Sequence, residues 1–196
     1  MPKIGAATVR RQAMVEAAII EIGEAGSLDV TVSQIARRAG MSPALAHHYF
    51  GSKDQMFLAA MRHILKLYGD SVRRRMAEAT TPLGRIHAII EASFAPDQFD
   101  REVVAAWLTF YVRALQSEET RRLLQLYARR LHSNLVFSLR ELVGAGSAQA
   151  IAQGLAAMID GFYIRHALQD FAPGKDEVRA MVIDYLELCL ARNARV

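Results

Sequence analysis

The sequence predicts an all-α protein of about nine helices, and three observations favour this class. Alternating β-branched runs joined by tight turns are missing, apart from the short stretch Asp29-Val30-Thr31. Helix start signals recur, because each expected helix begins near a capping residue or a proline. Hydrophobic residues make up 52% of the 196 residues, enough to bury a core without disulfides or metals.

The first two helices are defined by an apolar arc and a cap. The first is expected over about residues 8–25 and ends at Gly26. Its apolar side chains share one arc of a 3.6-residue helix: Met14, Val15, Ala18, Ile22 and Ala25. Thr31 caps the second helix with Gln34 in capping-box position, and Gly40 ends it.

Proline and glycine mark the remaining helices. Ser42 and Pro43 begin a short third helix that lasts to about Tyr49, and a long fourth helix begins near Lys53. A weak break at Thr80-Thr81-Pro82 follows. The later helices are expected over about residues 82–94, 101–116, 118–143, 147–169 and 175–192.

The net charge of +4 is unevenly distributed along the chain. Residues 1–75 carry 11 Lys/Arg against 6 Asp/Glu, whereas residues 76–196 carry 13 against 14. The basic excess therefore lies in the first third, and a polyanion partner for that third is the simplest interpretation. A solvated, slightly basic face is the alternative.

Composition and segment lengths argue against secretion and membrane insertion. Cys189 has no second cysteine to pair with, and no apolar stretch of signal-peptide length follows the N-terminus. The longest apolar run, residues 103–112, is about half the length that a membrane span requires. We expect a cytoplasmic protein that does not cross a membrane.

No motif for catalysis, metal or cofactor binding is found in the sequence. The Gly144-Ala145-Gly146 run follows a helix rather than a strand, so it does not fit a dinucleotide loop. A nucleophile elbow and a metal-ligand cluster are missing, and adjacent His47 and His48 point about 100° apart on a helix. We expect neither enzymatic activity nor a cofactor or metal. An enzyme is therefore the first competing class, and a nucleoid-type protein that binds DNA without sequence preference is the second. The large, nearly neutral C-terminal part argues against the second class, because such a protein has little need of it.

The segment from Thr31 to Phe50 has the length and layout of a helix-turn-helix motif. Two short helices meet at Ala39-Gly40-Met41-Ser42, and the side chains expected to pack them together are Ile35, Ala36, Ala46 and Phe50. One side of the second helix is slender and polar, formed by Pro43, Ala44, His47 and His48. Such a face suits a major groove, where side chains reach base edges.

The motif resembles the DNA-binding part of the TetR family of bacterial repressors. The matching residues are Arg10-Arg11, Thr31, Ile35-Ala36, Ala39-Gly40, Ser42, Tyr49-Phe50 and Lys53. The resemblance implies a DNA-binding domain over residues 8–68, with the motif at 31–50, and a ligand-sensing and dimerisation domain over 69–196. The expected DNA contacts are Thr31, Ser42, Pro43, Ala44, Leu45, His47, His48, Tyr49 and Lys53. Two helices that merely pack are the structural alternative.

Motifs outside this domain resemble the choline-responsive branch of the family, which represses choline-to-glycine-betaine genes. They are Met1-Pro2-Lys3 with Gly5, Ala106-Trp107-Leu108 with Phe110, Arg130-Leu131 with Ser133-Asn134-Leu135, and Gly154 to Gly161. The resemblance implies choline as the effector and osmoprotectant synthesis as the controlled process. A repressor that responds to another cationic or apolar inducer is the alternative.

A quaternary ammonium cannot donate hydrogen bonds, so aromatic faces and a carboxylate must hold it. Two apolar helices carry the candidates, and they would form an aromatic box if they faced each other: Trp107, Phe110 and Tyr111 in one, and Asp160, Phe162 and Tyr163 in the other. An ordinary aromatic core is the alternative. For Asp160, an ion pair across a subunit interface is equally open.

The family resemblance also implies a homodimer that buries the last two helices in a four-helix bundle. Their wide apolar faces are Ile151, Leu155, Met158, Ile159 and Phe162, then Val178, Met181, Val182, Tyr185 and Leu188. Burial within one subunit is the alternative. A two-fold dimer predicts an operator that is an inverted repeat.

Overall fold

The computed structural model describes residues 3–193 and confirms the all-α class. The described part of the chain contains nine helices and no strand. They are α1 (Lys3–Ala25), α2 (Val32–Arg38), α3 (Pro43–Phe50), α4 (Lys53–Glu78), α5 (Pro82–Ser93), α6 (Arg101–Ala114), α7 (Glu118–Leu139), α8 (Ala145–Leu168) and α9 (Lys175–Asn193).

Several helix boundaries differ from the prediction, and α6, for example, ends at Ala114 rather than near residue 116. Helix α1 begins at Lys3 rather than near residue 8, because Ala6 and Ala7 favour helix strongly enough for the helix to continue through Gly5. Helix α7 ends at Leu139, since the chain from there to Gly144 forms a turn rather than a further helical turn. Helix α8 begins at Ala145 behind Gly144, two residues before the predicted start.

The chain packs into two compact units. The first comprises the described residues up to 66 together with residues 101–121, so α6 packs with the N-terminal helices. Its core is built from α1, α2, α3, the first half of α4 and α6, and among its fully buried side chains are Met14, Ile22, Ile35, Met56, Met61, Trp107 and Phe110. The boundary between a DNA-binding domain over residues 8–68 and a ligand-sensing domain over residues 69–196 stays a prediction. In the structure, α6 packs with the N-terminal helices.

A glycine lets α1 and α6 approach closely within this unit. A Cβ atom on Gly23 would lie 2.3 Å from the carbonyl oxygen of Glu102 and 2.6 Å from its Cα. Such distances are far inside van der Waals contact, and a backbone cannot yield as a flexible side-chain tip can. Only glycine therefore fits this crossing.

The second unit contains residues 67–100 and the described residues from 122 onward. Helix α9 packs against α8 and α5, and the phenol oxygen of Tyr185 lies where a Cβ on Gly154 would stand. Five residues of the predicted dimer surface are buried inside the chain here: Ile151, Leu155, Ile159, Val178 and Val182. For these five residues the alternative, burial within one subunit, is correct.

Replacement of Gly23 by alanine should destabilise the protein. The added methyl group meets the α6 backbone, and overpacking of this kind costs about 1–3 kcal/mol. Gly69→Ala is a matched control, since nothing lies within 4 Å of a Cβ there and alanine should stabilise the helix by about 0.5–1 kcal/mol. Urea unfolding followed by circular dichroism measures both. Equal midpoints for the two variants would contradict the close crossing.

Candidate functional site

The turn between α2 and α3 is fixed by caps and by one left-handed residue. The Thr31 hydroxyl accepts the Gln34 backbone N–H at 3.1 Å, while the Gln34 side-chain oxygen accepts the Thr31 N–H at 2.6 Å, as the capping box requires. Gly40 has a φ of 67°, which a residue with a Cβ rarely adopts. The Ser42 hydroxyl then accepts the Leu45 N–H at 3.3 Å and starts α3.

Helix α3 has one face in the core of the first unit and one face in solvent. Ala46 and Phe50 are buried against the fully buried Ile35 and Ala36 of α2. The opposite side is exposed along the whole helix, at Pro43, Ala44, His47 and His48. Leu45 and Tyr49 are half-buried and lie one turn apart along the same border between the two faces. The slender exposed face predicted from the sequence is therefore present.

Two cations lie near the C-terminal end of α3. The Lys53 ammonium at the start of α4 lies 5.4 Å from the centre of the Phe57 ring, and the Arg11 guanidinium lies 4.9 Å from that of Phe50. Neither has an acidic partner among the described residues. Both side chains are thus held in place by a ring while their charge stays available to an anion.

Arg37 is a candidate that the sequence reasoning missed. It is exposed and makes no ion pair with any described residue, whereas its neighbour Arg38 pairs with Glu21 and Glu24 of α1. The hydrogen bond that Arg38 donates to Glu21, together with the charges of both glutamates, raises the pKa of Arg38. Adjacent arginines look alike in a sequence, and only the position of α1 distinguishes the free one from the paired one.

The hydroxyl groups of Thr31 and Ser42, both predicted to contact DNA, differ in whether they can still donate a hydrogen bond. The Thr31 hydroxyl both accepts from the Gln34 N–H and donates to the Gln34 side chain at 2.8 Å, so the cap uses it fully. The Ser42 hydroxyl accepts one hydrogen bond and keeps its proton for another partner. Ser42 is therefore the better donor to a phosphate.

The predicted aromatic ligand residues fall into two groups, one in each unit. In the first unit Trp107 and Phe110 are buried, and the half-buried Tyr111 ring stacks on Trp107 with centroids 5.9 Å apart. In the second unit Tyr163 is buried, while Phe162 and Asp160 are half-buried on the same helix, α8.

The α8 group belongs to a larger aromatic cluster that includes the connection after α5. Phe94 packs edge-on against Phe162 and Tyr163, with centroids 6.4 and 6.2 Å apart. Phe99 lies 5.7 Å from Tyr163 and 4.1 Å from the imidazole of His166. Phe94, Phe99 and His166 were not predicted, because their partners are distant in sequence and their spacing shows no helical period.

Two tyrosines converge on Ser93 beside this cluster. The Tyr163 hydroxyl donates to the Ser93 carbonyl at 2.5 Å. The Tyr68 hydroxyl lies 3.1 Å from the Ser93 hydroxyl, which itself donates to the Ile89 carbonyl, so Tyr68 is the donor. These paired hydroxyls fix both rings inside the second unit.

The carboxylate of Asp160 acts on the buried phenol of Tyr68. Burial raises the pKa of Tyr68 to about 12, hydrogen bonds with Ser93 and Tyr127 oppose that rise, and the Asp160 charge adds to it. The Tyr127 ring packs edge-on against Tyr68 with centroids 5.3 Å apart. The charge of Asp160 therefore acts on Tyr68 of the same subunit. Tyr68 and Tyr127 were also missed by the sequence analysis.

Within the described residues, no group of three His, Cys, Asp or Glu side chains is placed to hold a metal ion. None of the described helices combines the length and the apolar character needed to cross a membrane.

A helix-turn-helix with an exposed second helix, attached to a larger helical part, defines a DNA-binding transcriptional regulator. Residues 14–60 match the family described as "Bacterial regulatory proteins, tetR family". Residues 82–191 match "BetI-type transcriptional repressor, C-terminal". The chain belongs to the TetR family, and its C-terminal part is of the BetI type.

Curated relatives of nearly equal length support this assignment. The chain is 56% identical over 190 residues to the HTH-type transcriptional regulator BetI of Brucella anthropi, covering 97% of this chain and 98% of the relative. It is 51% identical over 193 residues to BetI of Rhizobium meliloti, with coverages of 98% and 95%. The rival class of an enzyme is wrong, because these relatives are transcriptional regulators.

Solved structures share the fold at low sequence identity. A putative transcriptional regulator from Saccharomonospora viridis, crystallised in complex with choline, has a TM-score of 0.81 at 22% identity and covers 92% of this chain and 96% of its own. A TetR transcription regulator from Haloarcula marismortui has the same TM-score at 20% identity, with coverages of 92% and 98%.

The raised pKa of Tyr68 predicts a loss of stability in alkali. The unfolded phenol ionises near pH 10, but the folded one keeps its proton to about pH 12, so the contribution is present below pH 10 and is lost as pH rises through 12. Two pH units correspond to about 2–3 kcal/mol. Tyr68→Phe should lose less stability between pH 10 and 12 than the wild type, as measured by urea unfolding. Parallel losses would show that Tyr68 does not titrate in this way.

Proposed function

We propose that the chain is a sequence-specific repressor of choline-to-glycine-betaine genes that binds its operator through α3 and responds to choline. The observation that carries the DNA-binding part is the solvent-exposed face of α3, formed by Pro43, Ala44, His47 and His48, which is slender and is followed directly by Lys53 at the start of α4. A helix gains no stability from such a face, whereas a major groove requires one. Since the operator is genomic DNA, the site of action is the bacterial cytoplasm.

Base contacts are assigned to the exposed face and phosphate contacts to its borders. His47 and His48 present ring nitrogens to base edges, while Pro43 and Ala44 allow a close approach. Lys53 lies beside the first backbone N–H groups of α4, and cation and helix end together suit a phosphate oxygen. Ser42 and Tyr49 add neutral donors to the backbone, and Thr31 contributes through its capped turn.

Lys53→Ala should weaken operator binding and lower its salt dependence by about one counterion, since one phosphate contact is removed. Fluorescence anisotropy on labelled operator DNA over a range of salt concentrations measures both quantities. Lys175→Ala, an exposed lysine at the start of α9, is the matched control and should change neither. Unchanged affinity in both Lys53→Ala and Tyr49→Phe would refute this docking.

A homodimer is proposed because one short helix reads too few base pairs to be specific. Two recognition helices about 34–36 Å apart would read an inverted repeat. Several apolar side chains of the last two helices and the segment between them remain exposed: Ile164, Leu168, Phe171, Met181 and Leu188. Half-buried Met158, Phe162 and Tyr185 adjoin them in sequence. An exposed apolar surface of this kind suits a second copy of the chain.

The double variant Met181→Glu/Leu188→Glu should convert the dimer to a monomer of about 22 kDa, because carboxylates would be buried against apolar groups. Phe137→Glu is the control, since Phe137 is 65% exposed on α7 and should leave the dimer intact. Light scattering at micromolar concentration measures the mass. A monomeric wild type, or a dimeric double variant, would contradict this interface.

Choline is proposed as the effector because the second unit combines aromatic faces with a carboxylate. Asp160 adds a negative charge to a group of rings that includes Tyr68, Tyr127 and Phe162. A quaternary ammonium is held by such π faces together with a counter-charge. The name of the BetI relatives and the choline bound to the Saccharomonospora viridis regulator support the same ligand. Trp107, Phe110 and Tyr111 stay predicted ligand residues.

Choline at millimolar concentration should raise the melting temperature of the protein, and Asp160→Asn should remove most of that rise. Loss of the counter-charge is expected to weaken choline binding about tenfold, in line with a cation contact of roughly 1–2 kcal/mol. Asp170→Asn, which alters an exposed carboxylate just beyond α8, should respond like the wild type.

A response to other inducers is the second candidate. If tetraethylammonium or an apolar effector stabilises the protein and choline does not, the protein is a TetR-family repressor with a different ligand. The exposed face of α3 would keep its role in that case.

A further inference from the structure

Gln98 is a buried glutamine whose side-chain oxygen has no hydrogen-bond partner among the described residues. It lies in the connection between α5 and α6, within the second unit, and is only 1% exposed. Its Oε1 atom is shielded from solvent and no donor of the described chain reaches it. Glutamine is mostly a surface residue, and buried polar atoms are almost always paired. A buried acceptor that the fold leaves unpaired is therefore available to a ligand.

The orientation of this amide is fixed by the neighbouring residue. The Nε2 atom of Gln98 donates to the carboxylate of Asp97 at 3.3 Å. Only the amino half of an amide can donate to a carboxylate, so the two halves of the amide cannot be exchanged. Asp97 is exposed, whereas the Oε1 atom of Gln98 is enclosed by protein. The carbonyl half of the side chain is thus the buried half.

The connection that carries Gln98 also carries two rings of the aromatic cluster. The backbone N–H groups of Gln98 and Phe99 both donate to the Ala95 carbonyl, at 2.9 and 3.0 Å, and close one tight turn. Phe94 and Phe99 flank this turn, and their rings pack edge-on with centroids 5.5 Å apart. Both rings also pack against Tyr163 of α8. One turn of the chain therefore supplies two aromatic rings and one buried acceptor.

The hydroxyl groups beside the aromatic cluster already donate elsewhere. The Tyr163 hydroxyl donates to the Ser93 carbonyl, and the Tyr68 hydroxyl donates to the Ser93 hydroxyl. The Ser93 hydroxyl in turn donates to a backbone carbonyl of its own helix. The carboxylate of Asp160 can only accept. None of these protons is left for Gln98, so a ligand has to bring the donor.

We propose that the side-chain carbonyl of Gln98 accepts a hydrogen bond from the hydroxyl group of choline. This inference rests on choline being the effector. The trimethylammonium group cannot donate a hydrogen bond, and it is held by aromatic faces and the charge of Asp160. The hydroxyl group is the one donor that choline has, and a buried unpaired acceptor is where it gains most. Gln98 is then a specificity-determining residue, since it favours a quaternary ammonium ion that carries a hydroxyl group.

The same contact discriminates between choline and glycine betaine. At neutral pH glycine betaine carries a carboxylate in place of the hydroxyl group, so it has no proton to donate to Gln98. Two acceptors would then face each other without a proton between them, and the carboxylate of Asp160 adds repulsion. A site built to accept from a hydroxyl group rejects ligands that lack one. The regulator therefore responds to the precursor and not to the product.

Two ligands of equal charge test this contact. Choline and its methyl ether, (2-methoxyethyl)trimethylammonium, differ in that a methyl group replaces the hydroxyl proton. Isothermal titration of the full-length protein with each ligand measures the two affinities. The ether is expected to bind at least about tenfold more weakly than choline, because the buried acceptor stays unpaired.

Gln98→Met separates the hydrogen bond from the added bulk of the ether. Methionine has a similar length but no strong acceptor, so choline should bind about tenfold more weakly and the preference for choline over the ether should vanish. A steric effect of the methyl group would persist in this variant. Gln116→Met, at an exposed glutamine of the first unit, is the matched control and should keep the preference of the wild type.

The melting temperature without ligand distinguishes ligand binding from a structural role. Gln98→Met removes a buried unpaired polar group, so its melting temperature should not fall below that of the wild type. A clearly lower value would assign Gln98 to the fold and overturn the proposal.

Two further results would overturn the proposal while leaving choline as the effector. They are equal affinities of the wild type for choline and for the ether, and an undiminished preference for choline in Gln98→Met. Absence of choline binding to the wild type would instead reject the effector assignment, and the Gln98 contact with it.

Discussion

The close crossing of α1 and α6 at Gly23 is the contact on which the first unit depends. With no side chain at Gly23, the α6 backbone at Glu102 approaches α1 closely enough to share one core. Trp107 and Phe110, one and two turns further along α6, are buried in that core. Helix α1 also contacts α2, and α2 contacts α3, so the exposed face of α3 is supported by a continuous series of packed helices.

Two ion pairs within the first unit contribute only a small part of its stability. Asp54 and Arg62 of α4 pair with Arg113 at the end of α6 and with Glu119 at the start of α7. Exposed pairs of this kind contribute about 0–1 kcal/mol each, much less than the burial of two aromatic side chains. The first pair joins α4 to α6, and the second joins α4 to α7.

Local patterns made most of the fold predictable. The capping box of Thr31 and Gln34, the proline after Ser42 and the left-handed Gly40 act within a few residues, and the structure has all of them. The exposed face of α3 was predictable for the same reason. The aromatic cluster was only half predictable, because Tyr163 finds its partner Ser93 seventy residues away, and such pairing leaves no period in the sequence. The same limit explains α8 and α9, where amphipathic pattern alone does not distinguish an intramolecular contact from a subunit interface.

The central claim is that choline binding and operator binding weaken each other, although the two ligands bind to different parts of the protein. Titration of choline into the preformed protein–operator complex, followed by anisotropy of the labelled DNA, tests it most directly. Linkage requires that a ligand can shift operator affinity only by its differential affinity for the two conformations. The account predicts that choline weakens operator binding and that operator DNA weakens choline binding by the same factor. Operator affinity that stays constant up to millimolar choline would contradict it.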